Sequence, residues 1–373
     1  MRTYKYKIRN HKKNKCFGNL LDDLCDVHNH FLRLEKRYYR RYEKYAGRYR
    51  LQPHLTKLLK TTKKHWAWIP RDTLDAAIIR IDAAYQRFFA GQGGLPKFKR
   101  KYRYRSAKFQ TGYKLENGRV CISFKSWNDT TQSLKFNRRW FSFHQHRDWH
   151  GTVRYVQILR DSAGEYWLDI VTDDTSTEPM QQTGESVGID FGLKTFLTLS
   201  TGEKIQAPEF LKQSLKHLRK LNKAVSRKVK GSNNWCRAIR ELARHYIKIA
   251  NQRLDWQWKL ATDLCRRFDT IAAETLNLNG MKRLWGRKVS DLGFYQFIRL
   301  LAFKCFKHHK AFFQVGQWTP TTKPCSNCGD KNDTLSLNDR QWTCSQCNSE
   351  HDRDINAAIN ILRAAYDPVV EQM

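Results

Sequence analysis

Two pairs of cysteines near the C-terminus limit the fold of this chain more than any other feature of its sequence. Cys325, Cys328, Cys344 and Cys347 follow the pattern C-x₂-C-x₁₅-C-x₂-C. Each C-x₂-C pair is called here a knuckle. Two knuckles match a tetrahedral zinc site in which thiolates fill all four positions, so that no position is left open for water. We therefore predict one structural Zn²⁺. A redox pair or free thiols are the alternatives, and His351 is close enough to be an alternative ligand.

The chain is strongly basic, with 69 Lys and Arg against 35 Asp and Glu and a formal net charge of +34. Such a charge indicates a polyanionic partner. Basic and aromatic residues alternate in residues 35–50 and again in KFKRKYRYRSAKF, residues 97–109. The second of these segments contains no acid. Cationic side chains neutralise phosphates, and aromatic rings offer faces on which bases stack. This pattern favours nucleic acid over a merely solvated basic surface. The predicted contacts are Lys97, Lys99, Arg100, Lys101, Arg103 and Arg105.

The sequence contains no sign of a membrane or secretory segment. No apolar stretch is long enough to span a bilayer, and the basic N-terminus lacks the apolar region of a secretory signal. We therefore expect a cytoplasmic protein without a membrane partner. Thiols stay reduced in that compartment, so the ten cysteines are not expected to form a disulfide framework.

The N-terminal half combines helix and strand patterns. RTYKYKI alternates like a strand, and apolar residues then recur at helical spacing. A second helix is expected after Pro70, with Asp72 as its N-cap. Residues 105–180 contain short β-like runs separated by turns, which predict a compact, barrel-like β domain completed by the N-terminal strand. Residues 173–185 have the composition of a linker.

Three carboxylates stand out in the C-terminal half. Asp190 ends the strand-like VGID, Glu274 ends IAAE, and Asp354 opens the helix-like stretch after the cysteines. A single carboxylate at such a position, like that of the neighbouring Asp352, usually belongs to a turn or a helix cap. As a set, they could converge at a sheet edge and hold two divalent cations. Mg²⁺ prefers oxygen ligands, and a two-metal site suits phosphodiester hydrolysis.

Four motifs in this order carry a family resemblance: GIDFGLKTF, AAETLNLNGM, CSNCG…CSQC and HDRDINAAINI. Together they resemble the TnpB (OrfB) proteins of bacterial insertion sequences, which are relatives of type V CRISPR effectors. The resemblance is strong over residues 187–373. The N-terminal half matches more loosely, through its strand–helix–β layout and GLPKFKRK.

The resemblance implies a RuvC-like nuclease of the RNase H type, interrupted by a zinc ribbon. It also implies RNA-guided cleavage of DNA beside a short transposon-associated motif. The implied partners are a guide RNA and double-stranded target DNA, without a small-molecule cofactor, and the bound protein would lie on the bacterial nucleoid. Base pairing would supply most of the sequence choice in such a system.

Carried over residue by residue, the catalytic carboxylates fall on Asp190, Glu274 and Asp354, which would hold two Mg²⁺ ions. Asp352 is then better interpreted as a capping or solvated residue, although capping is not excluded for either aspartate. The family often has an acid after the catalytic Glu, where this chain has Thr275. That difference leaves the three carboxylates intact but could alter the groups that orient them.

We therefore predict a multidomain α/β protein. The expected parts are a first wedge-like strand (1–12), a helical recognition domain (13–94), the remaining wedge-like β domain (95–180), the nuclease domain (181–320 and 351–373) and the zinc ribbon (321–350). Two alternatives remain. A nuclease-inactive RNA-guided regulator should have lost one of the three carboxylates. A conventional transposase would bind transposon ends without RNA.

Overall fold

The protein is described by a computed structural model that covers residues 1–9, 15–128, 133–336 and 339–366. It divides into two compact units, Met1–Thr175 and Ser176–Met373, called here the N-terminal and C-terminal units. The division falls inside residues 173–185, whose composition predicts a linker. The predicted boundary at residues 12 and 13 lies outside the described residues, as does the end of the predicted nuclease domain after residue 366.

The N-terminal unit contains three α-helices beside a β-sheet, and both contribute to one hydrophobic core. The apolar stripe expected on the first helix is confirmed, because Leu20, Leu24, Val27 and Phe31 are all buried. The helices are α1 (Cys16–Tyr42), α2 (Gly47–Lys60) and α3 (Arg71–Phe89), with single 3₁₀ turns at Lys64–Trp66 and Lys101–Arg103.

The start of α3 differs from the sequence-based expectation. The helix begins directly after Pro70, as predicted, but Asp72 does not cap it. Its carboxylate instead accepts hydrogen bonds from the backbone N–H groups of Gln110 (2.7 Å) and Thr111 (2.9 Å). The prediction was wrong because the backbone groups that bind Asp72 lie nearly forty residues further along the chain. The spacing of residues within the helix gives no information about a partner at that distance.

The sheet of the N-terminal unit has seven strands in the order β2-β6-β7-β1-β5-β4-β3. The N-terminal strand β1 lies in the middle, antiparallel to β5 and β7. The first strand therefore belongs to the same sheet as the strands of residues 106–172. The strands are β1 (Arg2–Ile8), β2 (Ser106–Phe109), β3 (Tyr113–Glu116), β4 (Arg119–Asn128), β5 (Ser133–His144), β6 (Val153–Arg160) and β7 (Tyr166–Thr172).

The C-terminal unit is built on a five-stranded sheet in the order β10-β9-β8-β11-β12. The central strands β8, β11 and β12 are parallel, whereas β9 and β10 continue antiparallel from β8. The strands are β8 (Ser186–Phe191), β9 (Leu197–Leu199), β10 (Lys204–Ile205), β11 (Thr270–Glu274) and β12 (Ala311–Val315). The helices are α4 (Phe210–Ser226), α5 (Asn233–Arg267), α6 (Leu278–Leu292), α7 (Phe294–His308) and α8 (Arg353–Ala365).

Helices cover both faces of this sheet, as expected for parallel strands that are buried on each side. Val187 and Ile189 pack in a core shared with α5 and α7. The alternate residues face α8, where Ala272 packs with Ile361 and Ala365. A short antiparallel pair, β13 (Gln341–Thr343) and β14 (Glu350–Asp352), follows the first two cysteines and leads directly into α8.

Within the part of the chain that the structure describes, no helix has both the length and the apolar character needed to span a membrane.

Candidate active site and metal centre

Asp190 and Glu274 lie side by side at one edge of the C-terminal sheet. Their strands, β8 and β11, are parallel, and the pairing runs as far as Ile189 opposite Ala273. Asp190 and Glu274 are the next residue on each strand, so they are level with one another. Adjacent strands lie about 4.8 Å apart, which makes the two carboxylates near neighbours.

Both carboxylates lie on the face of the sheet that α8 covers. Two residues earlier, Gly188 pairs with Ala272, and side chains two apart on a strand share a face. The backbone of α8 lies so close to the strand at Gly188 that a Cβ there would collide with the carbonyl oxygen of Ala358. Only glycine allows this approach of helix backbone to strand.

The direction of α8 brings Asp354 to the same edge. At the far end of the helix, the hydroxyl of Tyr366 lies 2.8 Å from that of Ser186, at the start of β8, so α8 runs antiparallel to β8. Asp354 precedes Ala358 by one helical turn, about 6 Å along the axis. Asp190 follows Gly188 by two strand residues, about 6.6 Å. The structure thus brings Asp190, Glu274 and Asp354 to one edge.

The electrostatics of the site reflect this convergence. Burial raises the pKa of Asp190 well above its usual value, and the negative charges of Glu274 and Asp354 raise it further, against the opposing effect of Arg353. Burial also raises the pKa of Glu274, although a hydrogen bond from the backbone of Phe191 opposes the shift. Negative charge therefore dominates around Asp190, and Arg353 offsets it only in part.

The side-chain oxygen atoms of Asp190, Glu274 and Asp354 are of the kind that Mg²⁺ prefers as ligands. Among the described residues, neither Asp190 nor Glu274 forms an ion pair with a basic side chain. Three carboxylates supply only oxygen ligands, which Mg²⁺ prefers, and a cation between them would remove the repulsion that raises the pKa of Asp190.

Asp352 and Asp354 have different surroundings, which separates their roles. Asp352 caps α8, because its Oδ1 accepts hydrogen bonds from the backbone N–H groups of Asp354 (3.1 Å) and Ile355 (3.2 Å). Its Oδ2 accepts a hydrogen bond from Lys204 Nζ at 2.7 Å. Burial opposes its ionisation, yet the Lys204 contact and the backbone N–H groups lower its pKa overall. Asp354 accepts no hydrogen bond from a helix N–H group within the described part of the chain, and Arg340 Nη1 lies 3.2 Å from both of its carboxylate oxygens.

The four cysteines of the predicted zinc site cluster as expected. Their sulfur atoms all lie within 4.8 Å of one another, and two pairs, Cys325–Cys347 and Cys328–Cys344, are separated by 3.6 Å. Zn–S bonds of about 2.3 Å in a tetrahedron place sulfur atoms about 3.8 Å apart. Each knuckle closes on a residue with positive φ, Gly329 (83°) and Asn348 (55°). This arrangement is a candidate four-cysteine zinc site.

His351 supports the cysteines from outside the cluster. Its Nε2 lies 3.0 Å from Cys325 Sγ, and its ring packs on Trp342 with centroids 4.7 Å apart. Hydrogen bonds with the side chain and backbone of Ser349 lower the pKa of Cys347 to about 5, which favours the thiolate that binds metal. Zinc therefore has four sulfur ligands available without the imidazole.

Two asparagines that the sequence analysis missed tie the zinc segment to α8. Asn356 is buried, and its side chain accepts a hydrogen bond from Ser326 N–H (2.7 Å) and donates one to Pro324 O (2.8 Å). Asn360 donates to Thr321 O (2.9 Å) and also to Pro324 O (2.7 Å). Their spacing of four residues in INAAIN places both on one helix face, which was a usable signal.

The six basic residues predicted to contact nucleic acid do not have equal surroundings. Lys97, Arg100, Lys101, Arg103 and Arg105 are exposed. Lys101 forms an ion pair with Asp26 at 3.2 Å.

Lys99 is half-buried, and its ammonium lies 5.5 Å from the ring centroid of Tyr104. Burial lowers its pKa, and the nearby Arg80 adds to the effect. Lys97, Arg100, Arg103 and Arg105 are thus open to a partner, whereas Lys101 is already ion-paired and Lys99 packs against the unit.

Comparison with known families agrees with the motifs. A family model described as "Probable transposase" (OrfB) matches residues 169–284, and one described as "Cas12f1-like, TNB domain" matches residues 294–361. A Streptomyces pristinaespiralis protein named "Putative RNA-guided DNA endonuclease" is 33% identical over 295 residues, which are 78% of this chain and 70% of that protein. "Putative RNA-guided DNA endonuclease InsQ" of Escherichia coli K12 is 24% identical over 98% of this chain and 92% of its own.

Among solved structures, a cryo-EM structure of a Cas12f1–sgRNA–target DNA complex aligns with a TM-score of 0.64. The alignment covers 96% of this chain and 84% of the other chain at 16% identity. The protein therefore has a Cas12f1-like α/β fold with a candidate four-cysteine zinc site. Within that class, the chain belongs to the TnpB (OrfB) family of insertion-sequence proteins.

Proposed function

We propose that this protein is an RNA-guided DNA endonuclease that hydrolyses target DNA beside a short flanking motif. The observation that carries the proposal is the convergence of Asp190, Glu274 and Asp354 at one sheet edge. The names of the Streptomyces and Escherichia relatives support the reaction, and the net charge of +34 supports a large polyanion as the guide.

Asp190, Glu274 and Asp354 would hold two Mg²⁺ ions. When bound, Mg²⁺ supplies the Lewis acidity and positive charge that phosphodiester hydrolysis requires. Arg340 and Arg353 hold the Asp354 carboxylate in place, at 3.2 Å and 3.5 Å. The close contact of α8 with β8 at Gly188 keeps Asp354 over the sheet, and Asp352 fixes the first turn of that helix.

Recognition of the target would depend on the bound RNA. The exposed cations of residues 97–105 would contact phosphates of the guide RNA or of the guide–target duplex, without reading sequence. We assign the helices within residues 13–94 to a recognition domain and the seven-stranded sheet to a wedge-like domain. The five-stranded sheet with α8 would be the RuvC-like nuclease. Base pairing would then choose the site, and the protein would read only the flanking motif.

Changing the guide should move the cut. If only the guide segment of the bound RNA is replaced, we expect cleavage of DNA that matches the new segment beside the same flanking motif, because pairing supplies the sequence choice. The measurement is sequencing of RNA that copurifies with the protein, followed by mapping of cleavage sites with native and altered guides. Cleavage that stays at the old sequence, or continues after all RNA is removed, would replace this proposal with a transposase that reads DNA directly.

The exposed cations of residues 97–105 should set part of the salt dependence of RNA binding. Each phosphate contact adds about 0.7–0.9 to the slope of log affinity against log salt, so replacing Lys97, Arg100, Arg103 and Arg105 with alanine should reduce the slope by roughly 3. The measurement is RNA affinity from about 50 to 200 mM salt.

A matched control removes four exposed lysines that already form ion pairs with acids. These are Lys114, Lys212, Lys259 and Lys331, paired with Glu116, Glu209, Asp255 and Asp333. Their replacement removes the same formal charge but should leave the slope nearly unchanged. Equal slopes for wild type and the residue 97–105 variant would show that this segment does not contact RNA phosphates.

A further inference from the structure

Trp318 is the most exposed large apolar side chain of the described residues, at 89%. Tryptophan side chains are highly buried on average. A single exposed apolar residue needs no explanation by itself, but the position of Trp318 in the fold suggests a role for its exposure. Trp318 lies just after β12, at the edge of the sheet where β8 and β11 carry the candidate catalytic carboxylates. Among the described residues, no aromatic ring or cation packs on it.

The backbone holds Trp318 on a short, anchored turn. Thr319 N–H donates to Gly316 O at 3.1 Å, which closes a turn with Trp318 in its centre. On one side, Val315 O accepts a hydrogen bond from Thr275 N–H at 3.0 Å. On the other, Thr321 O accepts one from Asn360 at 2.9 Å. Hydrogen bonds on both sides therefore fix the backbone that carries the exposed ring. A surface on which bases stack requires a ring that is held in this way.

Chain geometry limits the distance from this ring to the carboxylates. Val315 pairs directly with Glu274 on the adjacent strand, about 4.8 Å away. Trp318 is three residues further on, at most about 11 Å along the chain. The Cα atoms of Trp318 and Glu274 are thus separated by no more than about 16 Å, the length of about five stacked nucleotides at 3.4 Å each. A base on Trp318 and a phosphate at the carboxylates could belong to the same short stretch of strand.

We infer that Trp318 stacks on an unpaired base of the DNA strand being cut and so positions the phosphate that reaches Asp190, Glu274 and Asp354. This rests on the proposed nuclease function. Aromatic stacking tolerates any base, which suits an enzyme whose sequence choice is made by pairing elsewhere. Trp318 is a positioning residue, since it does not reach the reacting atoms.

Phe306 provides a matched control. It is also an exposed aromatic residue of the C-terminal unit, at 70%, but it lies near the end of α7, just before β12 begins. It is therefore at the opposite edge of the same sheet from the carboxylates. A general effect of removing an exposed ring should appear equally in Trp318→Ala and Phe306→Ala, whereas stacking beside the active site should appear only in the former.

The first test is cleavage. Trp318→Ala should lower the single-turnover rate by roughly 5- to 150-fold, the range for loss of one base stack, with RNA affinity unchanged. Trp318→Phe should recover most of the rate because it restores a ring, and Phe306→Ala should behave as wild type. An unchanged rate in Trp318→Ala, or an equal loss in Phe306→Ala, would overturn the inference.

The second test does not depend on cleavage. Single-stranded DNA carrying iododeoxyuridine at successive positions is bound to the Asp190→Ala protein and irradiated, and the crosslinked residue is identified by mass spectrometry. A crosslink at Trp318 supports the inference, and its absence while other aromatic residues crosslink overturns it. If wild type shows no RNA-guided cleavage, the proposed function fails, and this crosslink alone decides whether Trp318 binds a base.

Discussion

Replacing Asp190, Glu274 or Asp354 with alanine is expected to abolish Mg²⁺-dependent DNA cleavage while RNA binding stays close to that of wild type. Residues that act as one catalytic unit each cost nearly as much as the whole set, so we expect losses of at least about 10⁴-fold for single variants and little more for doubles. RNA binding should survive because the proposed phosphate contacts lie elsewhere. The measurements are cleavage rate and RNA affinity for each variant.

Asp352→Ala is the control for Asp354→Ala. Asp352 caps α8, so its loss should cost about 0.5–2 kcal/mol of stability but leave most of the cleavage activity. Normal cutting by Asp354→Ala together with an inactive Asp352→Ala would show that the third carboxylate has been assigned to the wrong residue.

Stability gives a second readout of the same carboxylates. Without divalent cations, the pKa of Asp190 in the folded protein is raised above its unfolded value, so the folded state holds a proton that the unfolded state has released. The free energy of unfolding must then fall as pH rises from about 4 through the folded pKa. Asp190→Asn should therefore melt above wild type at pH 7 in chelator. Added Mg²⁺ should stabilise wild type and narrow the difference, and a variant that melts below wild type in chelator would contradict this account.

Loss of a zinc ligand should have the largest effect on folding. The purified protein should contain about one zinc per chain, and Cys325→Ser or Cys347→Ser should lower the zinc content and destabilise the C-terminal unit. Binding of a structural zinc is worth about 10–16 kcal/mol at pH 7, and this energy is coupled to folding. The measurements are elemental analysis and thermal unfolding. Wild type prepared without chelators that contains no zinc would rule out the site.

The same variants should also lose cleavage, because the segment that carries the four cysteines supports the candidate active site. Arg340, which directly precedes β13, contacts Asp354. Asn356 and Asn360 bind the backbone of Pro324, just before the first knuckle, and Asn356 also binds that of Ser326 within it. Cys236→Ser is the matched control. Cys236 is a half-buried thiol of α5 outside the cysteine cluster, and its replacement should leave both zinc content and cleavage unchanged.

Much of the candidate site could be predicted from local sequence patterns. The cysteine spacing predicts a four-sulfur cluster because each knuckle is a short turn whose geometry its own residues determine. Asp190 and Glu274 end apolar runs that form parallel strands, and the ends of such strands meet at one edge. Helices α6 and α7 were not predicted. A break in helical conformation at Trp285 interrupts α6, and α7 is apolar around much of its circumference, so neither shows a clean amphipathic repeat.

The sequence by itself therefore determined the four cysteines of the candidate zinc site, the strand ends and the candidate carboxylates, since these depend on residues close together in the chain. Only the tertiary structure decided which aspartate caps α8 and which faces Asp190, because that follows from the packing of α8 on Gly188. It alone showed that Asp72 binds the backbone of Gln110 rather than capping a helix, and it alone placed Trp318 at the same sheet edge as the carboxylates. Such contacts join residues far apart in the chain, and their geometry arises only when the strands and helices pack.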